Sequence, residues 1–343
     1  MSAETTAVPR SATPDPVVRV EGLAKRFPVK GGGLLGRARL LNAVDGVSFS
    51  LMPGETLGLV GESGCGKSTV GKLIMKLHDP SEGSISVDGR DIAPLGRRAM
   101  KPVRRKVQTI FQDPYASLNP RLTAGAIVGE PLKIHGLASG AALRQKVAET
   151  FERVGLRPDQ MARYAHEFSG GQRQRLSIAR ALVVDPDVII ADEPVSALDV
   201  SIQASVINLL IRLQKEMGLS LLFISHDMSV VEHVSHRVAV MYLGRIIETG
   251  PRDAIFRDPQ HPYTEALMSA VPVADPSHRR RERIVLKGDV PSPIDPPKGC
   301  HFHTRCPIAE DICRREVPRL ARHRGEHRAA CHLRVPGSGP HAA

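Results

Sequence analysis

The feature that most limits what this chain can fold into is Gly61-Glu62-Ser63-Gly64-Cys65-Gly66-Lys67-Ser68-Thr69. It fits the pattern G-x-x-x-x-G-K-[ST], directly after the apolar run Thr56-Leu57-Gly58-Leu59-Val60 and directly before a helical stretch. The run is short enough for a buried strand. Glycines let successive N–H groups turn inward and form an anion nest. The helix that follows presents its positive end to the same point. Lys67 then adds a point charge toward the β- and γ-phosphates of a nucleotide, and the Ser68 hydroxyl suits Mg²⁺. A chance glycine-rich turn would need neither the strand before it nor the helix after it.

A second apolar run, Val188-Ile189-Ile190-Ala191, ends in the adjacent carboxylates Asp192 and Glu193. Neighbours on a strand point to opposite faces, so the pair can divide two tasks. Asp192 is placed to hold the Mg²⁺ shell and Glu193 to polarise an attacking water. With the loop, these carboxylates predict hydrolysis of Mg-ATP. Further islands follow one order: Gln112 after a strand-like Val107–Phe111, Ser169-Gly170-Gly171-Gln172 before a helix, Ser196-Ala197-Leu198-Asp199 after the carboxylates, and His226 after the strand Leu219–Ser225. Ser169 is a good helix cap, and the paired glycines leave that helix tip open to a phosphate.

This order resembles the nucleotide-binding domain of ABC ATPases: phosphate loop, Gln loop, SGGQ signature, carboxylate pair, SALD loop and switch histidine. The resemblance implies a P-loop NTPase of α/β class, with an antiparallel β subdomain, a helical subdomain over about 113–184 and a small Cys-rich C-terminal extension. Within the α/β frame, strands alternating with helices predict a parallel sheet with crossover helices. By the family's pattern Gln112 reaches the Mg²⁺ and the water, His226 contacts the γ-phosphate, and Asp199 communicates across a dimer. Ser169, Gly170, Gly171 and Gln172 would cover ATP held by another subunit. Phe27 would stack on adenine, although a phenylalanine after a strand serves equally as core.

Longer stretches resemble the ATP-binding subunits of bacterial oligopeptide/dipeptide importers: Thr109–Arg121, Asp192–Ile202, Ser225–Gly244 and His261-Pro262-Tyr263-Thr264. That likeness implies a second ABC ATPase subunit, a paralogue, as partner, two transmembrane permease subunits, and an extracytoplasmic solute-binding protein. It implies a peripheral position on the cytoplasmic face of the cell membrane. Related systems carry nickel, glutathione or opine-like solutes, and the solute is not written in this chain. An ABC ATPase acting on nucleic acid and an unrelated P-loop kinase are the rival readings.

Composition bears on two of these points. No apolar run approaches the length of about 18 residues needed to cross a bilayer. The net charge of +11 is concentrated: from Arg279 onward fourteen Lys or Arg face seven Asp or Glu. Such a tail could meet nucleic acid or an anionic membrane, but Phe302 is the one aromatic there, too little for base stacking, so a solvated face is the better reading.

The chain divides into a polar, disordered tail (1–17), an ATPase domain (18–270) and a Pro-rich linker with a cysteine-bearing extension (271–343). Lys30–Gly36 reads as a mobile glycine-rich loop. Cys300, Cys306, Cys313 and Cys331 suit a [4Fe–4S] cluster, a structural Zn²⁺ or plain thiols. The spacing lacks the short C-x2-C of zinc ribbons, and some members of the resembled family carry a cluster there, which favours iron–sulfur.

Overall fold

Strands β3 (Thr56–Val60), β7 (Val188–Asp192) and β8 (Ser220–Ser225) are almost entirely apolar and almost entirely buried, as parallel strands covered on both faces must be. The computed structural model describes residues 15–29, 39–271 and 284–335. Residues 1–14 of the expected tail, the glycine-rich Lys30–Gly36 and Pro272 and Pro276 of the expected linker lie outside the described residues.

The main sheet has eight strands in the order β11-β12-β10-β9-β3-β8-β7-β6. Here β6 is Val107–Ile110, β9 Arg237–Tyr242, β10 Arg245–Pro251, β11 Ala321–Arg324 and β12 His327–Ala329. From β6 through β9 all pairings are parallel, as the alternation of strand and helix predicts. The other three pairings are antiparallel. A separate antiparallel sheet, β2-β1-β4-β5, comprises β1 (Val18–Val29), β2 (Arg39–Leu51), β4 (Glu82–Val87) and β5 (Arg90–Asp91).

Strand alternation sorts the core into two layers. Val188, Ile190, Leu222 and Ile224 pack with Val18, Val20 and Ile85 of the antiparallel sheet and with Val70 and Leu73 of α1 (Lys67–Ile74). Ile189, Ala191, Leu221 and Phe223 face the opposite layer. That layer holds α4 (Ala124–His135), α5 (Gly140–Arg153), α6 (Gly170–Leu182) and α7 (Val200–Met217). Thr123 caps α4, its hydroxyl accepting from Ala126 N, and Gly136 closes it in the left-handed region. Val147 and Phe151 of α5 and Leu176 of α6 are fully buried in this helical layer. Phe151→Ala would cost about 3–5 kcal/mol there. Short α2 (Met100–Lys106), α3 (Pro114–Ser117), α8 (Met228–Val234) and α9 (Arg252–Arg257) complete the connections through residue 257. Beyond them come α10 (Pro262–Ser269) and α11 (Asp311–Arg315).

The expected boundary at residue 270 is crossed by the main sheet. Strand β12 pairs with β10, so the C-terminal extension lengthens the sheet that carries the phosphate loop. Glu248 of β10, fully buried, fixes this join. Its carboxylate meets His327 Nε2 at 2.7 Å and accepts from the backbone N–H groups of Gln260 and His261 at 2.7 and 2.9 Å.

Candidate functional site

The phosphate loop leaves β3 through Gly61, φ +152°, and enters α1 through Gly66, φ +106°. Both angles are open to glycine, and a side chain at either would strike backbone carbonyls of Met241 or Ala43. Ser63 and Gly64 are exposed at the rim, Cys65 is buried inside, and Ser68 and Thr69 begin α1 half-buried. Burial pushes the Cys65 thiol up, against the pull of the neighbouring Lys67 charge. The Lys67 side chain lies within the loop, 4% exposed, its ammonium donating to the carbonyls of Gly61 and Glu62 at 2.7 and 2.9 Å.

The carboxylate pair sits against this loop. Ser68 Oγ donates to Asp192 Oδ1 at 2.8 Å. Burial pushes the Asp192 carboxyl above its ordinary value, Glu193 adds to the rise, and the Ser68 hydroxyl, Lys72 and Lys67 oppose it. Glu193 leaves the strand with φ +46°. Its N–H donates to Ile224 O at 2.9 Å, which pins the turn. This backbone position costs roughly 1–3 kcal/mol for a non-glycine residue. There the Glu193 carboxylate is held from two sides: Gln112 Nε2 donates at 2.9 Å, and His226 Nδ1 lies 3.3 Å away. Gln112 and His226 thus come from the ends of β6 and β8 on either side of β7. Asp192 and Glu193 take different partners, but Glu193 lies just past the end of β7, so its placement comes from the left-handed turn and not from strand alternation.

The signature islands form a second patch. Ser169 N-caps α6 in a capping box: its Oγ accepts from Gln172 N at 3.3 Å and its N–H donates to Gln172 Oε1 at 3.0 Å. The Gln172 side chain is therefore engaged within its own helix. A Cβ at Gly171 would lie 2.6 Å from Ile202 Cγ2, so glycine lets α6 sit tight on the start of α7. Asp199, exposed, is the N-cap residue of α7, and the adjacent Val200 is 81% exposed. Among the described residues no hydrogen bond joins this patch to the phosphate loop. Phe27 sits half-buried on β1 opposite Leu41 of β2, edge-on to His78 at 5.3 Å and under Lys25 Nζ at 5.0 Å.

Residues 44–196 match the family model described as ABC transporter, and residues 247–313 match oligopeptide/dipeptide transporter, C-terminal region. The chain is 52% identical over 325 residues to the oligopeptide transport ATP-binding protein AppF of Bacillus subtilis, covering 94% of this chain and 99% of that protein. The chain belongs to the ATP-binding proteins of the ABC transporter family. It is also 58% identical over 280 residues to the glutathione import ATP-binding protein GsiA of Salmonella choleraesuis, 82% of this chain and 45% of that protein. Among solved structures, the dimeric post-hydrolysis state of the ATP-binding cassette MJ0796 with ADP and Pi aligns with a TM-score of 0.61 at 29% identity. That alignment covers 68% of this chain and 98% of the cassette.

In this ABC ATPase the four tail cysteines line one very small cavity, about 10 Å³, together with His303 and His332. None is in a disulfide. Yet among the described residues no group of three or more His, Cys, Asp or Glu side chains is gathered to hold a metal ion, so the expected Fe–S or Zn²⁺ donor set is not assembled. Burial holds Cys300 up at about 11 and raises Cys306, and the nearby cysteines add to both rises. Neutral thiols pack as small apolar groups. Each imidazole has one ring nitrogen on a backbone carbonyl, His303 Nδ1 on Cys300 O at 2.8 Å and His332 Nε2 on Glu316 O at 2.9 Å, and His332 Nδ1 is buried without a hydrogen-bond partner.

Two neighbours of the phosphate loop escape sequence reasoning. Arg305 grips the Glu62 carboxylate at 2.8 and 3.1 Å, and Tyr263 Oη accepts from Glu62 N–H at 2.8 Å. These partners lie 243 and 201 positions from Glu62, beyond any local spacing signal.

Proposed function

We propose that this chain binds Mg-ATP on residues 61–69 and hydrolyses it, with a second ATPase subunit, to drive import of di- or oligopeptides. The observation that carries this reading is the Glu193 carboxylate, held between Gln112 and His226 beside the Ser68–Asp192 pair. Glu193 is positioned to take the proton of the attacking water, Gln112 and His226 to fix its carboxylate, and Lys67 to balance phosphate charge. The oxygen donors Ser68, Asp192 and Gln112 fit Mg²⁺, which when bound neutralises charge on the β- and γ-phosphates. Phe27 is the candidate adenine platform.

Ser169, Gly170 and Gly171 would serve a nucleotide on the other subunit, since among the described residues the Ser169 side chain is bonded only within its own turn. The exposed Asp199–Val200 corner extends the same surface. The domain limits expected from sequence, 18–270 with a helical subdomain at 113–184, serve this scheme, and the helical layer is the proposed receiver of permease helices. No helix among the described residues is long and apolar enough to cross a membrane, which supports a peripheral subunit docked on two permeases at the cytoplasmic face, fed by an extracytoplasmic binding protein. A peptide solute is supported by the oligopeptide/dipeptide C-terminal match, and likeness to a glutathione importer keeps the tripeptide within that class. Tail metal, as [4Fe–4S] or Zn²⁺, rests on the shared cysteine cavity alone. Metal analysis and a 400 nm absorption band in anaerobically purified protein test it, and metal-free, colourless protein excludes it.

The functional test is transport of a labelled dipeptide into vesicles bearing the complex. Wild type supports ATP-dependent uptake, and Lys67→Ala abolishes both nucleotide binding and uptake. Uptake that persists in Lys67→Ala contradicts the proposal.

A further inference from the structure

Glu62 puts a carboxylate inside the motif whose task is to receive phosphates, where like charge works against binding. Each of its polar groups is taken. The N–H goes to Tyr263 Oη, the carbonyl accepts from Lys67 Nζ, and the carboxylate is paired in bidentate fashion with Arg305. The fork is sheltered: the Arg305 side chain is 8% exposed and that of Glu62 28%. Beneath it lies a bed of rings, Tyr263 with its centroid 4.8 Å from Tyr242 and 5.5 Å from Phe302. Arg305 is turned onto that bed by its own N–H, which donates to Phe302 O at 3.0 Å. Both Arg305 and Phe302 belong to the C-terminal extension, a region the hydrolysis scheme does not use.

Resting on the reading that residues 61–69 bind ATP, we propose that Arg305 is a positioning residue for that loop: by pairing with Glu62 it cancels a carboxylate charge that would otherwise repel the incoming polyphosphate. The C-terminal extension is then a condition for tight nucleotide binding. A planar guanidinium suits this task, because two parallel hydrogen bonds fix the carboxylate's direction as well as its charge.

The sign of the effect separates this role from a mere tether. If the pair only ties the extension down, breaking it from either end gives the same defect, and breaking both ends repairs nothing. If it cancels charge, removing Arg305 bares an anion, and removing the anion as well restores the site. The experiment measures Kd for a fluorescent ATP analogue with Mg²⁺, and KM against kcat for hydrolysis, on the full-length protein. Arg305→Ala is expected to weaken binding about 10-fold, chiefly through KM, with the deficit reduced at high salt. Arg305→Ala combined with Glu62→Gln is expected to return within about 3-fold of wild type, and Glu62→Gln alone to bind somewhat more tightly. Equal losses in both single variants with no rescue in the double overturn the proposal, as does an unchanged Kd in Arg305→Ala. Should Arg305→Ala fail to fold, Glu62→Gln decides: a Kd equal to or tighter than wild type supports charge cancellation, and a loss of about 10-fold or more overturns it. Wild-type protein that binds no ATP analogue would instead refute the nucleotide reading itself.

Discussion

At the phosphate loop, Tyr263 and Arg305 reach in from far along the chain and join the loop's own Lys67 in taking the polar groups of Glu62, and Met241 and Ala43 leave room for glycine alone at Gly61 and Gly66. At the signature, the Ser169 and Gln172 side chains bond only within their own helix tip among the described residues, and Asp199 and Val200 are exposed. One half of the machinery is braced by its own fold, while the other is a capped helix tip presented at the surface. A catalytic centre complete within one chain would have no reason to leave the tip bare. On the proposed function, the braced half would hold the chain's own nucleotide and the exposed tip would be offered to another subunit.

The sharpest way to break this comparison is chemical. Glu193→Gln should lower hydrolysis at least 100-fold, roughly 3 kcal/mol or more in barrier, while ATP binding persists, as phosphate release and analogue binding would record. Equal loss of binding would place Glu193 in the cradle instead. Next in size is the join that braces the loop. His327→Ala leaves the buried Glu248 carboxylate short of one partner, and should destabilise the braced half by about 3 kcal/mol in urea unfolding, with early proteolysis after residue 284. Signature variants should show no such change.

An acid titration probes the same bracing. His261, 2% exposed, caps α10 by accepting from Tyr263 N–H at 3.1 Å. Burial holds its imidazole down to about 4, with Glu248 attracting the charged form and Arg334 repelling it. The unfolded imidazole titrates near the ordinary value of about 6.5, so the unfolded chain takes up a proton first as pH falls. The stability from this group is whole above about 6.5 and lost as pH falls toward 4, at most about 3 kcal/mol. His261→Asn, which can still cap, should flatten that window in the urea midpoint. The smallest effect lies on the bare side: Ser169→Ala removes one arm of a capping box and should cost about 1 kcal/mol in stability.

Much of this architecture was readable before any coordinates. The apolar runs Thr56–Val60 and Val188–Ala191 are short enough for buried strands and form them, and Ser169 reads as a cap for the helix start that α6 occupies. Those signals are local, carried by neighbours in the chain. What sequence could not supply is long-range. Nothing near Arg305 points to Glu62, nor anything near His327 to Glu248, because both contacts exist only after the main sheet takes on strands β11 and β12. The turn at Glu193 is hidden for another reason: alternation governs strands, and the proposed catalytic carboxylate lies one residue past the end of one. Type and spacing offer the four tail cysteines as ligands or as plain thiols, whereas ligation also requires thiolates gathered to bonding distance.

The central claim is that Ser169–Gly171 completes a nucleotide site on another ATPase subunit. Hydrogen exchange on Glu193→Gln complexes, drawn from detergent-solubilised membranes through this chain, tests it directly. Adding Mg-ATP should sharply slow exchange at the backbone amides of Gly170–Arg173 in the assembled complex and leave them fast in the isolated chain. Amides that exchange equally fast with and without nucleotide, in a complex that demonstrably holds ATP, would contradict the account.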